Sequence, residues 1–369
     1  METARCRAFL AAADTGSFSK AAELLSYTPS GVSQLVSALE ADIGYPLLRR
    51  TNKGVTVTAE GEMLVPAIRE FLNSENTIYQ LAADTKGLLI GSVTIASYSS
   101  IATHWLPEVI SRFQSDYPQI KITLLEGIRQ EVIKWLDEKA ADIAFTSYRE
   151  PFPYDWIPLS EDRMMALLPK DHPCAGLDSF PFELCRNEKL ILPGFGHDDD
   201  VIPLFEEFGI EPDIRFSTVE SFSALQMVEK GLGISIMNEL ITRNWPCEVV
   251  KIPISPPRSI SFGMALNDLK RSSPAVRRFV RYAEDIIKNI AKNQQKGFVK
   301  IVTPFKGEKL PEYPPRQRDT RFRPVQHPLH LRRDRGRRSR PYAAARAPAR
   351  HFPVGKRPCT KRCVLSAGL

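Results

Sequence analysis

The sequence lacks an apolar run long enough to cross a bilayer. Its first residues also lack the charged segment, apolar stretch and small-residue cleavage site that together mark a secreted protein. These two absences exclude an integral membrane protein and argue against an extracytoplasmic one. We therefore expect a cytoplasmic protein that has no membrane partner.

Metal-ligand and nucleophile motifs are also missing. The six cysteines are Cys6, Cys174, Cys185, Cys247, Cys359 and Cys363. Neither they nor the histidines have metal-ligand spacing, so we expect free thiols and no metal site. Redox sensing by Cys174 or Cys185 is the lesser alternative. The sequence contains no G-x-S-x-G elbow and no phosphate-binding loop, so it predicts a protein that is not an enzyme and has no cofactor.

An excess of positive charge is absent from most of the chain, although the whole carries a net charge of +7. Residues 291–369 contain 21 basic and 4 acidic residues, so residues 1–290 retain 29 basic and 39 acidic ones. Residues 1–60 contain six of each sign. Any binding of DNA must therefore depend on where charges are placed and on a dimer doubling the contacts, and it should be sensitive to salt.

Two short helical patterns, each with its own start signal, lie between residues 15 and 40. Ser17 is placed to cap the first helix, and Thr28 is placed to cap the second, with Pro29 in its first turn. The first helix has its apolar positions at Phe18, Ala21, Ala22, Leu24 and Leu25. The second has a predicted buried stripe of Val32, Leu35, Val36 and Leu39. Taken alone, the pair fits either a helix-turn-helix or an ordinary helical hairpin.

The outer side of the second helix carries short, uncharged, hydrogen-bonding groups that suit base edges in a major groove. These groups are Ser30, Ser33, Gln34 and Ser37. The following segment reads as two short strands around a turn, which is the pattern of a wing. This wing would set Arg50 and Lys53 against phosphates or the neighbouring minor groove.

With the wing included, residues 9–61 resemble the winged helix-turn-helix of LysR-type transcriptional regulators. The matching residues are Gly16-Ser17-Phe18, Ala21-Ala22, Val32-Ser33, Leu39-Glu40, Gly44, Leu47-Leu48, Arg50, Thr58 and Gly61. The chain departs from the family at Pro29, where Gln is usual, and at Gln34, where Arg is frequent. The predicted DNA-binding residues are Ser17, Thr28, Pro29, Ser30, Ser33, Gln34, Arg50 and Lys53.

A long helical pattern follows over residues 58–86, with Pro66 in its early turns. Its apolar seam consists of Leu64, Ile68, Phe71, Ile78 and Ala82, with Met63, Ala67 and Leu72 beside it. Such a seam requires a partner, either a second copy of the chain or another part of the same chain. The family resemblance favours dimerisation.

From residue 91, strand-like and helical runs alternate, which predicts a parallel sheet with covering helices. The predicted strands are 92–96, 120–125, 142–146, 164–168, 190–192, 214–217, 233–237 and 261–266, and the predicted helices are 102–117, 131–140, 201–208, 221–230 and 273–290. This part resembles the effector-binding domain of the same family, which shares its architecture with periplasmic solute-binding proteins. The marks are Leu106-Pro107, Tyr117-Pro118, Asp142-Ile143-Ala144 and Gly231-Leu232-Gly233-Ile234.

The predicted fold class is therefore α/β overall, in four parts. These are an all-α winged helix-turn-helix (1–58), a linker and dimerisation helix (59–87), a two-lobed α/β effector domain (90–290), and a tail (291–369). Each lobe is expected to contain a Rossmann-like sheet, with lobe one formed by 90–162 and 264–290 and lobe two by 163–263. The tail is rich in Pro and Arg and should be disordered; it is either a nucleic-acid-binding arm or a read-through or frameshift extension.

Ligands of doubly wound sheets bind beyond the carboxyl ends of strands. That rule selects seven hydroxyl residues: Ser97, Ser99, Ser100, Thr146, Ser147, Ser217 and Thr218. Hydroxyls beside helix termini would suit a small anionic effector, whereas each residue alone is as well explained as a helix cap. The acidic run 198–200 fits a solvated loop or a helix start better than a cation site.

The sequence thus predicts a transcriptional regulator that is modulated by a small molecule bound between two lobes. Its expected partners are double-stranded DNA with an interrupted inverted repeat, the effector, and itself in a homodimer or homotetramer. RNA polymerase is a further candidate partner. The alternative is a two-lobed solute-binding protein without a transcriptional role, but this predicts a leader peptide and no helix-turn-helix.

Overall fold

The N-terminal module consists of three helices and a two-stranded wing, as the capping signals predict. A computed structural model describes residues 2–52, 54–86, 88–194, 198–243 and 245–296, and the side chains up to residue 291. The elements of the module are α1 (Thr3–Thr15), α2 (Phe18–Leu25), α3 (Pro29–Ile43), β1 (Leu48–Thr51) and β2 (Gly54–Val57). Strands β1 and β2 are antiparallel, with Leu48 opposite Val57.

The core of this module lies between the three helices, where Phe9, Ala21, Val32 and Leu39 are fully buried. The small Ala21 and Ala22 side chains allow α2 to pack closely on α1 and α3. Leu24, one of the apolar positions of this helix, is not part of the core: it is 69% exposed. The inner face of α2 is already filled by the two alanines and by half-buried Leu25, and Leu24 lies outside it.

The linker helix, α4 (Ala59–Asp84), is continuous through Pro66. Thr58 caps its start: the Thr58 Oγ1 atom accepts a hydrogen bond from Gly61 N–H (3.0 Å). Its predicted seam divides between two environments. Ile68 and Leu72 are buried against the N-terminal module. Val65 is buried there as well, and Leu64 is half-buried. Other large apolar residues of α4 are exposed: Met63, Phe71, Ile78, Tyr79 and Leu81.

The effector part consists of two units, which correspond to the two predicted lobes. The first unit contains the predicted parallel strands. Its elements are β3 (Gly91–Ser97), α5 (Ser99–His104), α6 (Leu106–Asp116), β4 (Ile120–Glu126), α7 (Arg129–Asp137) and β5 (Ile143–Ser147). Strand β3 is parallel to β4 on one side and to β5 on the other. The single helix predicted over 102–117 is instead two helices that meet at the buried Trp105, with Pro107 in the first turn of α6.

The remaining elements form the second unit and then return the chain to the first. These are β6 (Asp155–Pro169), β7 (Phe180–Pro181), β8 (Lys189–Leu192), α8 (Ile202–Glu207), β9 (Asp213–Ser217), α9 (Ser221–Glu229), β10 (Ser235–Asn238), β11 (Val249–Ser255), β12 (Ser259–Leu266) and α10 (Pro274–Lys296). Short 3-10 helices cover Phe182–Asn187 and Glu239–Thr242. The sequence pattern did not predict β7 or β11.

One mixed sheet runs through both units, in the order β4-β3-β5-β12-β6-β11-β7, with β10 also paired to β6. Strand β12 is antiparallel to both β5 and β6. The prediction of a parallel sheet therefore fails where the chain returns, because β12 re-enters the first unit from the opposite direction. Strands β8 and β9 form a separate parallel pair in the second unit.

Helix α10 packs on the first unit through Phe279 and Ala283, and Phe279 contacts Phe113 of α6 edge to face. The helix continues to Lys296, six residues beyond the end predicted for it at residue 290. The prediction of disorder for the rest of the tail lies outside the described residues.

Within the described ranges, no helix combines the length and the apolar content of a membrane span. In the same ranges, no three His, Cys, Asp or Glu side chains are grouped in a way that could hold a metal ion. Cys6, Cys185 and Cys247 are free thiols. Burial raises the pKa of the Cys185 thiol, which opposes thiolate formation and argues against the redox alternative there.

The Asp142 carboxylate gives a pH-dependent prediction. It accepts a hydrogen bond from Thr94 N–H (2.7 Å), and burial raises its pKa from 3.8 to about 6. The ionised form therefore destabilises the fold above about pH 6, and this cost disappears as the pH falls towards 4. We expect Asp142→Asn to raise the melting temperature more at pH 8 than at pH 5, as measured by thermal unfolding.

The matched control is Asp171→Asn, a change at an exposed turn residue. It should leave the melting temperature nearly unchanged at both pH values. An equal or larger gain for Asp142→Asn at pH 5 would contradict this account of Asp142.

Candidate nucleic-acid interface and effector cleft

Helix α3 begins at the predicted residue and for the predicted reason. Thr28 Oγ1 accepts a hydrogen bond from Gly31 N–H (3.1 Å) and lies 3.1 Å from Ser30 Oγ. Pro29 occupies the first turn, where its missing N–H costs nothing. Thr28, Pro29, Ser30 and Gln34 are all exposed, so this end of α3 presents an accessible polar surface.

Arg50 connects the wing to both helices of the pair. Its Nη2 donates a hydrogen bond to Ser33 Oγ (2.5 Å), and its guanidinium lies 4.8 Å from the centre of the Phe18 ring. A cation held over an aromatic face while it donates to a hydroxyl has little rotational freedom. The arrangement therefore holds an exposed positive charge beside the outer side of α3.

Two glycines allow the wing to approach the turn between α1 and α2. Val55 N–H donates to the Gly16 carbonyl (2.8 Å), and Gly54 has a φ of +125°. A Cβ atom on Gly54 would lie 2.5 Å from the Gly16 oxygen, which no side chain could tolerate. The other end of the wing is held by Glu40, whose Oε1 accepts from the N–H groups of Leu47 (2.8 Å) and Leu48 (3.0 Å).

The structure brings seven of the eight predicted DNA-binding residues to the α2–α3–wing region. Ser17 is half-buried, and its hydroxyl caps α2 by accepting from Lys20 N–H (3.4 Å). Ser33 is also half-buried and is engaged by Arg50. Lys53 lies outside the described residues. Exposed Lys20 was not predicted from the sequence, although the capping position of Ser17 places it in the first turn of α2.

A cavity of about 480 Å³ lies between the two units. From the first unit it is lined by residues 98–100, Thr103 and 126–131, and from the second by 193–194, 198–200, 219–222, Asn238 and Ile241. Its volume suits a small organic molecule. The cavity lies at the carboxyl ends of β3 and β4, as the strand-end rule predicts.

Hydroxyl groups form the floor of this cleft. Arg129 Nη1 donates to the Ser147 carbonyl (2.5 Å), to Ser147 Oγ (2.8 Å) and to Thr146 Oγ1 (3.3 Å). The Tyr98 hydroxyl lies 3.1 Å from both Thr146 Oγ1 and Ser147 Oγ. Ser147 Oγ then donates to Asp200 Oδ1 (2.6 Å), which joins the first unit to the second. Burial raises the pKa of Tyr98, so its hydroxyl remains neutral.

The acidic run 198–200 is not only the solvated loop or helix start that the sequence suggested. Asp198 does cap the start of the next helical segment, by accepting from the N–H groups of Asp200 (2.9 Å) and Val201 (3.2 Å). However, all three aspartates line the cleft. Burial, followed by repulsion from Asp200, raises the pKa of Asp198 to about 6. Burial also raises the pKa of Asp200, although Ser147 and Arg129 oppose the shift.

The seven predicted effector residues fall into three groups. Ser99 and Ser100 line the cavity. Thr146 and Ser147 are fully buried beneath it and act through Arg129 and Tyr98. The remaining three, Ser97, Ser217 and Thr218, do not border the cavity: Ser97 Oγ donates to the Tyr98 carbonyl, and Thr218 Oγ1 donates to the Glu220 carbonyl.

The described lining does not favour the anionic effector that the hydroxyl-rich strand ends predicted. It contains six acidic residues: Glu126, Glu131, Asp198, Asp199, Asp200 and Glu220. Arg129 is the one basic residue among the described lining residues. The strand-end rule could not select Arg129, because this residue lies at the start of α7 and not at the end of a strand.

Two family models match the chain. Residues 4–62 match the bacterial regulatory helix-turn-helix protein, lysR family, and residues 86–287 match the LysR substrate binding domain. The second match alone covers more than half of the chain. Together the two models cover the N-terminal module and both units of the mixed sheet.

Relatives and solved structures agree with these matches. The uncharacterized HTH-type transcriptional regulator YvbU of Bacillus subtilis is 29% identical over 289 residues, which is 78% of this chain and 99% of that protein. Full-length OxyR C199D from Pseudomonas aeruginosa superposes with a TM-score of 0.61 at 23% identity, covering 78% of this chain and 98% of that one. Full-length CbnR complexed with its target DNA has a TM-score of 0.54 at 22% identity, covering 77% and 99%.

The contact between Gly54 and Gly16 gives a prediction about the wing. Gly54→Ala would introduce a Cβ atom against the Gly16 oxygen at a φ that L-residues avoid, and should cost about 1–3 kcal/mol. We expect a lower melting temperature for the variant. Gly176→Ala is the matched control, because a Cβ atom at that position would have no neighbouring atom within 4 Å. Equal melting temperatures for the two variants would contradict this description of the wing.

Proposed function

The chain belongs to the LysR family of DNA-binding transcriptional regulators with a substrate-binding effector domain, and from that premise we propose how it works. It binds an interrupted inverted repeat as a homodimer or homotetramer, and a small molecule in the cleft between its two units changes how it holds DNA. We propose the boundaries 1–58, 59–87 and 90–290 for its DNA-binding, linker and effector parts.

The observation that carries this proposal is the fixed position of Arg50 beside an exposed polar helix. Thr28, Pro29, Ser30 and Gln34 offer hydrogen-bonding and van der Waals contacts to base edges, while Arg50 offers charge to the phosphates. Residues 1–60 carry no net charge, so the affinity rests on such local placement. We further propose that Lys20 contributes a phosphate contact from α2.

The exposed apolar side of α4 supports self-association. Met63 and Ile78 are 72% and 66% exposed, and Phe71 lies between them at helical spacing. A row of large apolar side chains in water is costly, and burial against a second copy of α4 would remove that cost. Two copies would also bring two winged modules together, as an inverted repeat requires.

Helix α7 supplies a route from the cleft to the linker. Its first residue, Arg129, lies in the cleft, and the residue after its last turn, Glu138, contacts α4. Arg69 of α4 donates to Glu138 Oε2 (3.1 Å) and also pairs with Asp14 of α1. A shift of α7 on effector binding would therefore reach both the linker and the N-terminal module. We propose this route as the origin of the regulation.

We propose a cytoplasmic location, no catalytic activity and RNA polymerase as a further partner, as expected for a transcriptional regulator. A solute-binding protein without a transcriptional role would explain the two units and their cleft. It would not explain the N-terminal module. Arg69 of the linker helix contacts both this module, at Asp14, and the effector part, at Glu138.

Arg50 provides the direct test of DNA binding. Operator DNA can be selected by the purified protein from a randomised duplex library at moderate salt. Arg50→Ala should lower the affinity for the selected DNA about tenfold and reduce the slope of log K against log salt by about one for each subunit. Fluorescence anisotropy at several salt concentrations measures both quantities.

The control for this variant is Arg112→Ala, which removes an exposed arginine that pairs with Glu108 on α6. It should bind DNA like the wild type. Equal affinities for the Arg50 and Arg112 variants would refute the role of Arg50. If the wild type selects no sequence from the library, the proposed function itself fails.

Ile78 tests the proposed dimer. Ile78→Glu would place a charge in the exposed apolar side of α4, and burial of that charge in an interface would be strongly unfavourable. We expect the mass measured by light scattering to fall towards that of the monomer. Leu232→Glu, at an exposed turn after α9, should keep the wild-type mass. An unchanged mass for Ile78→Glu would show that this side of α4 is not the interface.

A further inference from the structure

We infer that the cleft accepts a small organic cation, a molecule that joins at least one protonated amine to an apolar portion. This inference rests on the proposed function, because it takes the cleft as the effector site. It replaces the anion that the strand-end hydroxyls suggested. Three properties of the cleft support it: the charge of the lining, the few partners that offset this charge, and the apolar side chains in the same lining.

The described lining carries a strong excess of negative charge. Six acidic residues and one arginine line a space of about 480 Å³, and of these Glu131 accepts a hydrogen bond from Ile128 N–H (3.0 Å). Three of the carboxylates are consecutive, at residues 198–200, and each is repelled by its neighbours. A low-dielectric cleft of one sign concentrates the field that a ligand experiences. An anion entering it would meet repulsion, whereas an ammonium group would be attracted.

Existing partners do not remove this excess. Arg129 directs Nη1 towards the floor, at Thr146 and Ser147, and Arg149 donates to the Asp199 carbonyl with its guanidinium 3.7 Å from Asp199 Oδ1. Those two arginines offset two of the six carboxylates at most. The side chains of Glu126 and Glu220 are exposed and form no ion pair or hydrogen bond in the described part of the chain. They remain available to a ligand.

The cleft also has an aromatic and aliphatic wall. Phe222 lines it and is stacked on Trp245, with ring centres 3.9 Å apart and planes inclined by 18°. Val219 and Ile241 lie beside it in the lining, and Tyr98 contributes a neutral aromatic ring from the first unit. Aromatic faces attract cations as well as apolar groups. Carboxylates and aromatic rings in one lining form a site for an amine with an apolar body.

A bare metal ion fits this site less well. The described residues contain no group of three or more His, Cys, Asp or Glu with the geometry to hold a metal. The carboxylates are spread around a cavity much larger than one ion, so an organic molecule with separated charge and apolar parts fits the spacing better.

The experiment compares ligands that differ only in the sign of their charge. The probes are 2-phenylethylamine against 3-phenylpropanoate, and 1,5-diaminopentane against pimelate, which has the same polymethylene chain. Binding to the full-length protein is measured by isothermal titration calorimetry and by the shift in melting temperature. We expect at least one amine to bind and to raise the melting temperature, and neither carboxylate to do so.

Variants of two glutamates in the lining test whether the amine binds in the cleft. Glu126→Gln and Glu220→Gln should each weaken the amine about fivefold, which is the loss of one partly exposed ion pair. Glu211→Gln, an exposed change outside the lining, should leave the affinity unchanged. All three variants should retain the wild-type affinity for the selected DNA when no ligand is present.

The outcomes separate this inference from the proposed function. Binding of a carboxylate in preference to its matched amine, or failure of both amines to bind, overturns the inference while DNA binding stands. Amine binding that is insensitive to both glutamate variants also overturns it, because the ligand would then lie elsewhere. Loss of sequence-selective DNA binding by the unliganded wild type would overturn the proposed function and leave the ligand result intact.

Discussion

Strand β6 is the constraint on which the effector part depends. Its first residues pair with β12, and its last residues pair with β10 on one side and β11 on the other. Because a single strand is hydrogen-bonded within both units, the units cannot separate without breaking the sheet. The pairing of β6 with β12 has one irregularity in its register, between Phe262 and Gly263. A cleft between units joined in this way is suited to opening and closing around a ligand.

The bond between Ser147 and Asp200 matters for such an opening. Ser147 ends β5 in the first unit, and Asp200 precedes α8 in the second, so this hydrogen bond crosses the cleft. It is linked to Arg129, and Arg129 begins the helix whose far end meets Arg69 of the linker. A ligand that competes for Asp200 would therefore disturb the contact between the units and the start of α7 together. Helix α7 thus contacts the floor of the cleft through Arg129 at its start and the linker through Glu138 after its last turn.

The sequence predicted most of the elements because their causes are local. Hydroxyl caps at Ser17, Thr28 and Thr58, the proline in the first turn of α3 and the alternating strands are signals within a few residues. Long-range features were harder to predict. The antiparallel return of β12, the exposed position of Leu24 and the cleft position of Arg129 depend on which surfaces meet in three dimensions. The strand-end rule found the correct edge of the sheet but selected Ser217 and Thr218, one or two residues before the part of that segment that lines the cavity.

The difference between local signals and long-range arrangement also explains the two predictions of the effector's charge. Local signals suggested an anion, whereas the arrangement of the cleft supports our inference of a cation. Serine and threonine at strand ends are visible in a sequence, and they suggest hydrogen bonds to an anion. Thr146 and Ser147 are instead occupied by Arg129 and Tyr98, so those hydroxyls form a floor and are not free donors. The carboxylates that line the cleft come from both units, and burial, followed by repulsion from Asp200 in the same acidic run, raises the pKa of Asp198. A cation that contacts carboxylates of both units at once would favour an arrangement that brings the two units together around it.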